Sequence, residues 1–530
     1  MTNKKTITIG TRGSQLALWQ AHYTKASLEK LGHNVTLQII KTQGDKIQNV
    51  TFNKLEGKGF FTKELEDSLL GGDIDLAVHS YKDLPTTFPE GLTITANSYR
   101  EDPTDWLIIN KNAFDKNALF SLKHNAVVGT SSPRRASQLL HFREDLTIHA
   151  IRGNVPTRVK KVEEDGIDAV VLAAAGLTRL DLDLSDYEVV ELPPHFFIPA
   201  PAQGVLAFQI RETDTELKEI IAQIHDEEVA ESLHIERSIL QKLEGGCQQP
   251  IGIFTKKEND FYHLWITHGT TRKDADDTIQ KADDFSIQRF YQKHKSPDYL
   301  IKSSIVFLKN LEQKTVFITR NLSKDSLFLK SLTQQGHNVI GNSLIDFSQV
   351  AFNENPTTNW IFFSSKNAVK HFFEQSPSIT PNTKMAAVGN GTAKAILGYG
   401  FDVHFEGKQT QIPAVAEHFK NAAKGQSVLF PQAKNSLRHI QQLIKKEVTI
   451  HDLVVYDNQI KENFELPEAN ILVFTSPMNV KAYLDQKSII YKQKLVAIGP
   501  TTAQSLYDAG YENVRLPYNF DELSLADVCY

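Results

Sequence analysis

The sequence predicts an α/β protein of several domains, and three observations carry that prediction. Short β-branched or apolar runs alternate with amphipathic helical stretches along the chain, the mark of repeated strand–helix–strand units. The pattern restarts after Lys314, behind a charge-rich stretch. Beyond that restart the chain repeats itself in register. Its 530 residues suffice for about three to five domains of roughly 100–200 residues. Hydrophobic residues at 41% and charged residues at 23% fit a globular chain rather than a disordered one.

Taken from the N-terminus, Ile7–Ile9 alternates as a strand. Ser14–Leu31 follows as a helix, with Leu16, Leu18, Ala21, Ala26 and Leu28 at near-helical spacing. Gly32 ends that helix, and Val35–Ile40 resumes a strand. Ile74–Val78, Asp145–Ile151 and Ala169–Leu172 read as compact buried strands. Thr270–Asp284 is charge-rich and of lower complexity, and a helical segment then runs to about Asn310. The strand Thr315–Thr319 opens a new unit, so the main boundary falls near 310–314.

In the second part, Trp360-Ile361-Phe362-Phe363-Ser364-Ser365 resembles Ile471-Leu472-Val473-Phe474-Thr475-Ser476, 111 residues on. Ala387-Val388-Gly389-Asn390-Gly391-Thr392-Ala393 resembles Ala497-Ile498-Gly499-Pro500-Thr501-Thr502-Ala503, 110 residues on. Each is a strand ending in hydroxyl or glycine residues and then a helix. Two similar α/β lobes around a cleft would explain this. Chance recurrence of strand–glycine–helix turns is the alternative.

Composition excludes several function classes. A net charge of −5 gives no global basic field for nucleic acid. The longest apolar run, around Ala169–Leu177, falls short of the about 20 residues a membrane span needs. The N-terminus enters its first strand without a signal-peptide core, which points to the cytoplasm. Two cysteines, Cys247 and Cys529, make neither a disulfide framework nor a Cys-x-x-Cys metal site, so no metal is expected. Gly57-Lys58-Gly59 lacks the spacing of a phosphate-binding loop, and Gly389-x-Gly391 is only a fragment of a dinucleotide fingerprint.

What remains is uneven placement of a few chemical groups. Of 15 arginines, six lie between 134 and 179: Arg134, Arg135, Arg143, Arg152, Arg158 and Arg179. Arginine grips carboxylate or phosphate with two bonds at once, which lysine cannot do. Thr130-Ser131-Ser132-Pro133-Arg134-Arg135 and Ile151-Arg152-Gly153-Asn154 stand at turns after strands, where backbone N–H groups also bind anions. A pocket for a polyanionic small molecule and a solvated arginine surface are both compatible with this. Lys82 and Asp83 emerge where a buried strand ends, before Pro85. A carboxylate there can stabilise a cation or shuttle protons, or simply close a turn. His79 reads as a packing histidine. Cys247, in Gly245-Gly246-Cys247-Gln248-Gln249-Pro250, sits in a tight loop that presents its thiol for attack or covalent attachment.

Taken together, these motifs over roughly residues 5–305 resemble the hydroxymethylbilane synthase (porphobilinogen deaminase) family. The matching stretches are Thr11-Arg12-Gly13-Ser14-Gln15-Leu16-Ala17-Leu18, His79–Pro85, Gly129–Arg135, Arg152-Gly153-Asn154 and Gly245-Gly246-Cys247. Residues 315–530 resemble uroporphyrinogen-III synthase, through the paired repeat and Ile498–Ala503. The first resemblance implies two lobes like periplasmic-binding-protein domains, about 1–100 with 200–222 and about 101–199. It also implies a small α/β cysteine domain at about 223–310. The second implies a bilobal α/β synthase.

The resemblance further implies a dipyrromethane cofactor, made from substrate and held on Cys247 by a thioether. Four porphobilinogen units add to it with loss of ammonia, and water releases hydroxymethylbilane. Asp83 would be catalytic, and Ser80, Lys82, Thr130, Ser131, Ser132, Arg134, Arg135 and Arg152 would hold the cofactor with it. Arg12, Ser14, Arg158 and Arg179 would bind substrate carboxylates. In the second enzyme, which closes the ring with its last pyrrole inverted, Tyr456 would aid hydroxyl departure and Thr502 would bind substrate. Tyr456 as a plain strand residue stays open.

Two departures from the first family's pattern stand out. Pro133 replaces a non-proline apolar residue, and Ala200-Pro201-Ala202-Gln203-Gly204 replaces a more glycine-rich inter-lobe segment. The chain is expected to act as a monomer on small molecules, with no nucleic acid and no membrane as partner. The competing readings are an inactive or interaction-only second half, and a bilobal binding protein for acidic ligands.

Overall fold

The computed structural model describes residues 6–42, 62–164, 166–243, 249–271, 279–281, 285–309, 312–407 and 412–530. They form two compact units. The first comprises Met1–Gln313, Asp325–His337 and Glu522–Tyr530; the second comprises Lys314–Lys324 and Asn338–Asp521. The first crossing lies beside the expected break at 310–314. The sequence reading put all of 315–530 in one body, whereas the chain returns twice to the first unit. The reason is apolar. The helix Leu327–Gln334 buries Phe328 and Leu332, and the helix Glu522–Ala526 buries Leu523 and Leu525. Leu523 belongs to the same core cluster as Leu139, Phe142 and Phe197.

Within the first unit two mixed sheets share one strand order, apart from an extra edge strand in the second. The first runs Asn34–Ile39, Thr6–Thr11, Leu76–Ser80, Leu206–Arg211, Leu92–Asn97. The second runs Ile279–Gln280, Thr147–His149, Val127–Gly129, Ala169–Ala173, Asp105–Asn110, Tyr187–Leu192. In each, three parallel strands are followed by an antiparallel one whose chain has crossed over, Leu206–Arg211 in the first and Asp105–Asn110 in the second. The two lobes are therefore topological equivalents. The third part is an antiparallel sheet, Ile251–Glu258, Phe261–Thr271 and Phe285–His294. The helices Glu227–Lys242 and Pro297–Lys309 share one apolar core with it.

Most elements lie where the sequence puts them. Ser14 caps the helix Gln15–Lys30, and Gly32 follows it at φ +93°. The buried strand expected at Ile74–Val78 is Leu76–Ser80, and that expected over Asp145–Ile151 is only Thr147–His149. The charge-rich stretch contributes the short strand Ile279–Gln280 at the edge of the second lobe's sheet.

The second unit has a parallel sheet, Asn338–Gly341, Thr315–Ile318, Ile471–Phe474, Lys494–Ala497, Val514–Arg515. Its other sheet runs Ile345–Gln349, Thr449–Ile460, Ser427–Ala433, Trp360–Phe363, Lys384–Ala387, Val403–Glu406. The repeated segments fall one in each sheet. Ser365 and Ser476 cap equivalent helices by accepting from Ala368 N and Asn479 N, and Gly389 and Gly499 precede equivalent helices in extended conformation. Among the described residues no helix is long and apolar enough to cross a membrane.

Candidate functional site

The site-bearing segments of the first unit follow strands of its two sheets, where turns into helices collect. Thr6–Thr11 leads to Arg12 and to Ser14, whose hydroxyl accepts from Ala17 N at 3.3 Å. Val127–Gly129 leads through Thr130, Ser131 and Ser132 into the helix Pro133–Phe142. Pro133 fits there because the first turn of a helix needs no proline N–H. After Thr147–His149, Asn154 caps the short helix Val155–Lys160 by accepting from Thr157 N at 2.9 Å. Gly153 just before it has φ +114°, a left-handed backbone that favours glycine. Lys82 and Asp83 leave Leu76–Ser80 on a single 3₁₀ turn, Tyr81–Asp83, rather than directly from the strand end.

These segments converge on a cavity of about 100 Å³ lined by Ser80, Lys82, Arg135, Arg158, Arg179 and Gly204, with Leu16, Gln20 and Val155. Burial pushes the Lys82 ammonium down to about 8, against the pull of Asp83. Burial lowers the Arg158 guanidinium to about 10; Arg135 and Arg152 push the same way and Asp83 opposes. Arg158 Nε donates to the Gly153 carbonyl at 2.8 Å. Arg179 Nη2 donates to the Gly204 carbonyl at 2.7 Å, and its guanidinium lies 5.3 Å from the Trp19 ring centroid. The exposed Asp83 acts electrostatically on both Lys82 and Arg158, so it belongs to the rim of this group.

Beneath the cavity lies a buried charge network that the sequence reading missed. Asp105 is fully buried and accepts from Arg134 Nη1 at 2.8 Å and from Arg135 Nε and Nη2 at 3.1 and 2.7 Å. Burial alone would raise the Asp105 carboxyl, but the two guanidinium groups outweigh it and hold the carboxyl well below the usual range. Arg134 also donates to the Ile198 carbonyl and Arg135 to that of Val171. Arg134 therefore turns inward and is absent from the cavity lining, while Arg135 serves both the cavity and Asp105. Gln203 joins the layers, since its Nε2 reaches Asp105 at 3.0 Å and its Oε1 accepts from Lys82 at 3.3 Å. The available signal was an acidic residue directly before the apolar run Trp106–Ile109.

The remaining sequence-derived residues sit nearby with local tasks. Ser131 Oγ donates to the Ile151 carbonyl, tying the turns after Val127–Gly129 and Thr147–His149 together, and Thr130 Oγ1 accepts from Ser132 N. Gln20 Nε2 donates to Ser80 Oγ at 2.8 Å. Arg12 and Arg152 are half-buried and lie outside the cavity lining. His79 is buried against Gln209 Oε1, and burial lowers it to about 4, which fits the packing reading. Ala202 has φ +62°, a strained left-handed conformation in the segment where the family's pattern is richer in glycine. Cys247 lies outside the described residues.

In the second unit, Tyr456 stands on Thr449–Ile460 with its hydroxyl 3.3 Å from Ser365 Oγ and its ring stacked on His371. Burial raises its pKa, with Ser365 opposing. Thr502 is buried in the first turn of the helix Pro500–Asp508, which follows a strand of the other sheet.

Comparison with known proteins gives a consistent set of matches. Residues 7–219 match the family model described as porphobilinogen deaminase, dipyromethane cofactor binding domain. Residues 230–288 match the porphobilinogen deaminase C-terminal domain, and residues 327–527 match uroporphyrinogen-III synthase HemD. The porphobilinogen deaminase of Trichlorobacter lovleyi is 48% identical over 249 residues, covering 47% of this chain and 78% of that one. That of Maridesulfovibrio salexigens is 49% identical over 256 residues, covering 48% and 81%. Among solved structures, uroporphyrinogen-III synthetase from Helicobacter pylori matches 40% of this chain and 96% of its own at 20% identity, with a TM-score of 0.31.

Proposed function

The chain belongs to the porphobilinogen deaminase family and joins that enzyme to a uroporphyrinogen-III synthase domain, a bifunctional enzyme of tetrapyrrole biosynthesis, and from that premise we propose how its residues divide the work. Dipyrromethane is the cofactor of the first activity, and porphobilinogen and hydroxymethylbilane are the substrates that the two domains imply. When bound, the cofactor supplies the pyrrole carbon to which the first substrate unit is joined. It carries carboxylates, and the cation-lined cavity fits that chemistry. Ser80, Lys82, Arg135, Arg158 and Arg179 hold carboxylates of cofactor and substrate there, and Cys247 carries the thioether. Arg12, Ser14 and Arg152 extend the cationic surface for the growing chain, with Thr130 and Ser132 beside it.

Asp83 stabilises the transition from porphobilinogen to its deaminated cation. As the substrate's carbon–nitrogen bond breaks, ammonia leaves with the electron pair and the pyrrole acquires positive charge. A carboxylate beside the pyrrole N–H accepts that hydrogen bond and offsets the charge. The observation that supports this reading is that Asp83 shares one 3₁₀ turn with Lys82, which lines the cavity together with Arg135, Arg158 and Arg179. In the second domain Tyr456 assists departure of the substrate hydroxyl and Thr502 binds substrate, while the lobes act chiefly by folding the chain for closure. On this reading the whole acts as a cytoplasmic monomer.

The test is the intact mass of the purified chain. The full-length protein, made where porphobilinogen is available, should carry an adduct of two pyrrole units that Cys247→Ala lacks, together with all tetrapyrrole assembly. An unmodified wild type overturns the reading.

A further inference from the structure

The C-terminal segment Glu522–Tyr530 follows the whole second unit in sequence, yet it is part of the first. Beside the burial of Leu523 and Leu525, its docking is polar and specific. Glu522 accepts from Ser326 Oγ at 2.9 Å and from Phe328 N at 3.4 Å, which joins it to the other returning segment. Asp527 forms a two-pronged pair with Arg289 on Phe285–His294, at 3.2 Å from Nε and 3.1 Å from Nη2, and both side chains are fully or almost fully buried. The Asp527 carbonyl accepts from Tyr291 N at 2.8 Å, and Gln335 Oε1 accepts from Arg289 N at 3.1 Å. The Tyr530 ring lies 5.8 and 5.3 Å from those of Phe290 and Phe307.

Arg289 does more than anchor this segment. Its Nη1 donates to the Phe196 carbonyl at 2.9 Å and its Nη2 to that of His195 at 3.3 Å. These carbonyls begin a strap, 195–204, that is hydrogen-bonded along its length. Ile198 is held by Arg134 and Gln138, Pro199 by Ile253 N, and Ala202 N by Glu236. At its far end Gln203 accepts from Lys82, and Gly204 accepts from Arg179. One guanidinium thus fixes the start of the segment whose other end sets two cavity cations.

We infer that Asp527 is a positioning residue of the first active site, acting through Arg289 and the 195–204 strap, so that the deaminase is completed by a segment, Glu522–Tyr530, that follows the second unit in sequence. The consequence is an order of assembly. The first site receives its last support only after the second unit, Asn338–Asp521, has been synthesised.

The inference rests on the proposed deaminase site, and the experiment separates the two. Full-length wild type, Asp527→Ala, Asp527→Asn and Asp527→Glu are compared well below their melting temperatures. The readouts are cofactor occupancy by intact mass, kcat and KM for porphobilinogen, amide exchange over 195–204, and closure of supplied hydroxymethylbilane. Asp527→Ala should retain the adduct and the second reaction, exchange faster over the strap, and lose roughly ten- to a hundredfold in kcat/KM. Asp527→Glu should recover most of that loss. An Asp527→Ala protein that melts lower but keeps wild-type kcat and KM overturns the inference, because the segment is then merely structural. Should that variant not accumulate, Asp527→Asn decides the same way, since it keeps volume and one hydrogen bond. A wild type without adduct sinks the deaminase reading itself, irrespective of Asp527.

Discussion

The two units place their chemistry alike, in turns that lead from strands into helices, but build it from opposite materials. In the first unit the cavity is lined by fixed cations, and those cations stand on buried polar partners: Arg135 on the Asp105 carboxylate, Lys82 on the Gln203 amide oxygen. In the second the equivalent positions carry hydroxyls and helix starts, Ser365 with Tyr456, Ser476, Gly389, and Gly499 with Thr502 behind it. A site that selects by charge must offset the desolvation of every ion it holds, so its scaffold is polar and buried. A site that selects by shape needs only well-satisfied turns. The difference explains why one half announces itself through residue types and the other through a repeat.

The hardest test of that contrast is the scaffold itself. Asp105→Ala leaves two buried guanidinium groups without their counter-charge, which typically costs about 3–5 kcal/mol. Denaturant unfolding should show the transition of the first unit moved by that order, while closure of supplied hydroxymethylbilane persists. An unchanged midpoint would mean that the cations need no such support. Next in size is Asp83→Asn, which keeps the shape of an exposed side chain and removes its charge. Single-turnover assembly should slow by about 10²–10³-fold with little change in substrate affinity. A loss under tenfold would remove Asp83 from catalysis.

How far the sequence reveals this protein depends on the range of the interactions. The helix Gln15–Lys30 is framed by neighbours in sequence, Ser14 and Gly32, and its bounds are legible to within a residue. The repeat is legible because each copy carries its own serine cap and glycine start. The arginine turns are legible because they follow short apolar strands. Asp105 is less so, since its place before the apolar run Trp106–Ile109 is the one local signal and its partners lie 29 and 30 positions away. Still less legible is the return of Glu522–Tyr530, whose Asp527 meets Arg289 across 238 positions. The strained Ala202 was visible only as a departure from a glycine-rich pattern, without its conformation.

A milder test uses pH. Lys82 is held down to about 8 by burial, so it loses its charge as pH rises through that value, and carboxylate binding should weaken with it. KM for porphobilinogen should therefore climb above pH about 8, and Lys82→Arg should flatten the climb because guanidinium stays charged. Unfolding is no explanation for the loss. Between about 8 and the ordinary 10.5 the folded chain binds fewer protons at Lys82 than the unfolded chain, so this group makes folding more favourable as pH rises. The second reaction should show no such limb near pH 8, since burial raises Tyr456 and favours its protonated hydroxyl. A flat KM profile for the wild type would detach Lys82 from substrate binding.

The smallest effect is expected at Tyr456, and its size separates the two kinds of site. Tyr456→Phe deletes a hydroxyl that meets Ser365 Oγ at 3.3 Å and leaves the ring on His371, so the strand and its packing survive. Ser365 keeps its capping bond to Ala368 N, and the loss in stability should be near the usual ~1 kcal/mol of a single hydrogen bond. If the second domain works mainly by folding the linear tetrapyrrole, a proton donor adds little to a leaving group that departs unaided in water. Closure of supplied hydroxymethylbilane should then slow only a few-fold, far less than the about 10²–10³-fold expected for removing the charge of Asp83. The product should remain the inverted type III isomer, read by chromatography of the oxidised porphyrins. A hundredfold loss, or a shift to the symmetric isomer, would show that the second site also depends on one placed chemical group, and the contrast between the two units would fail.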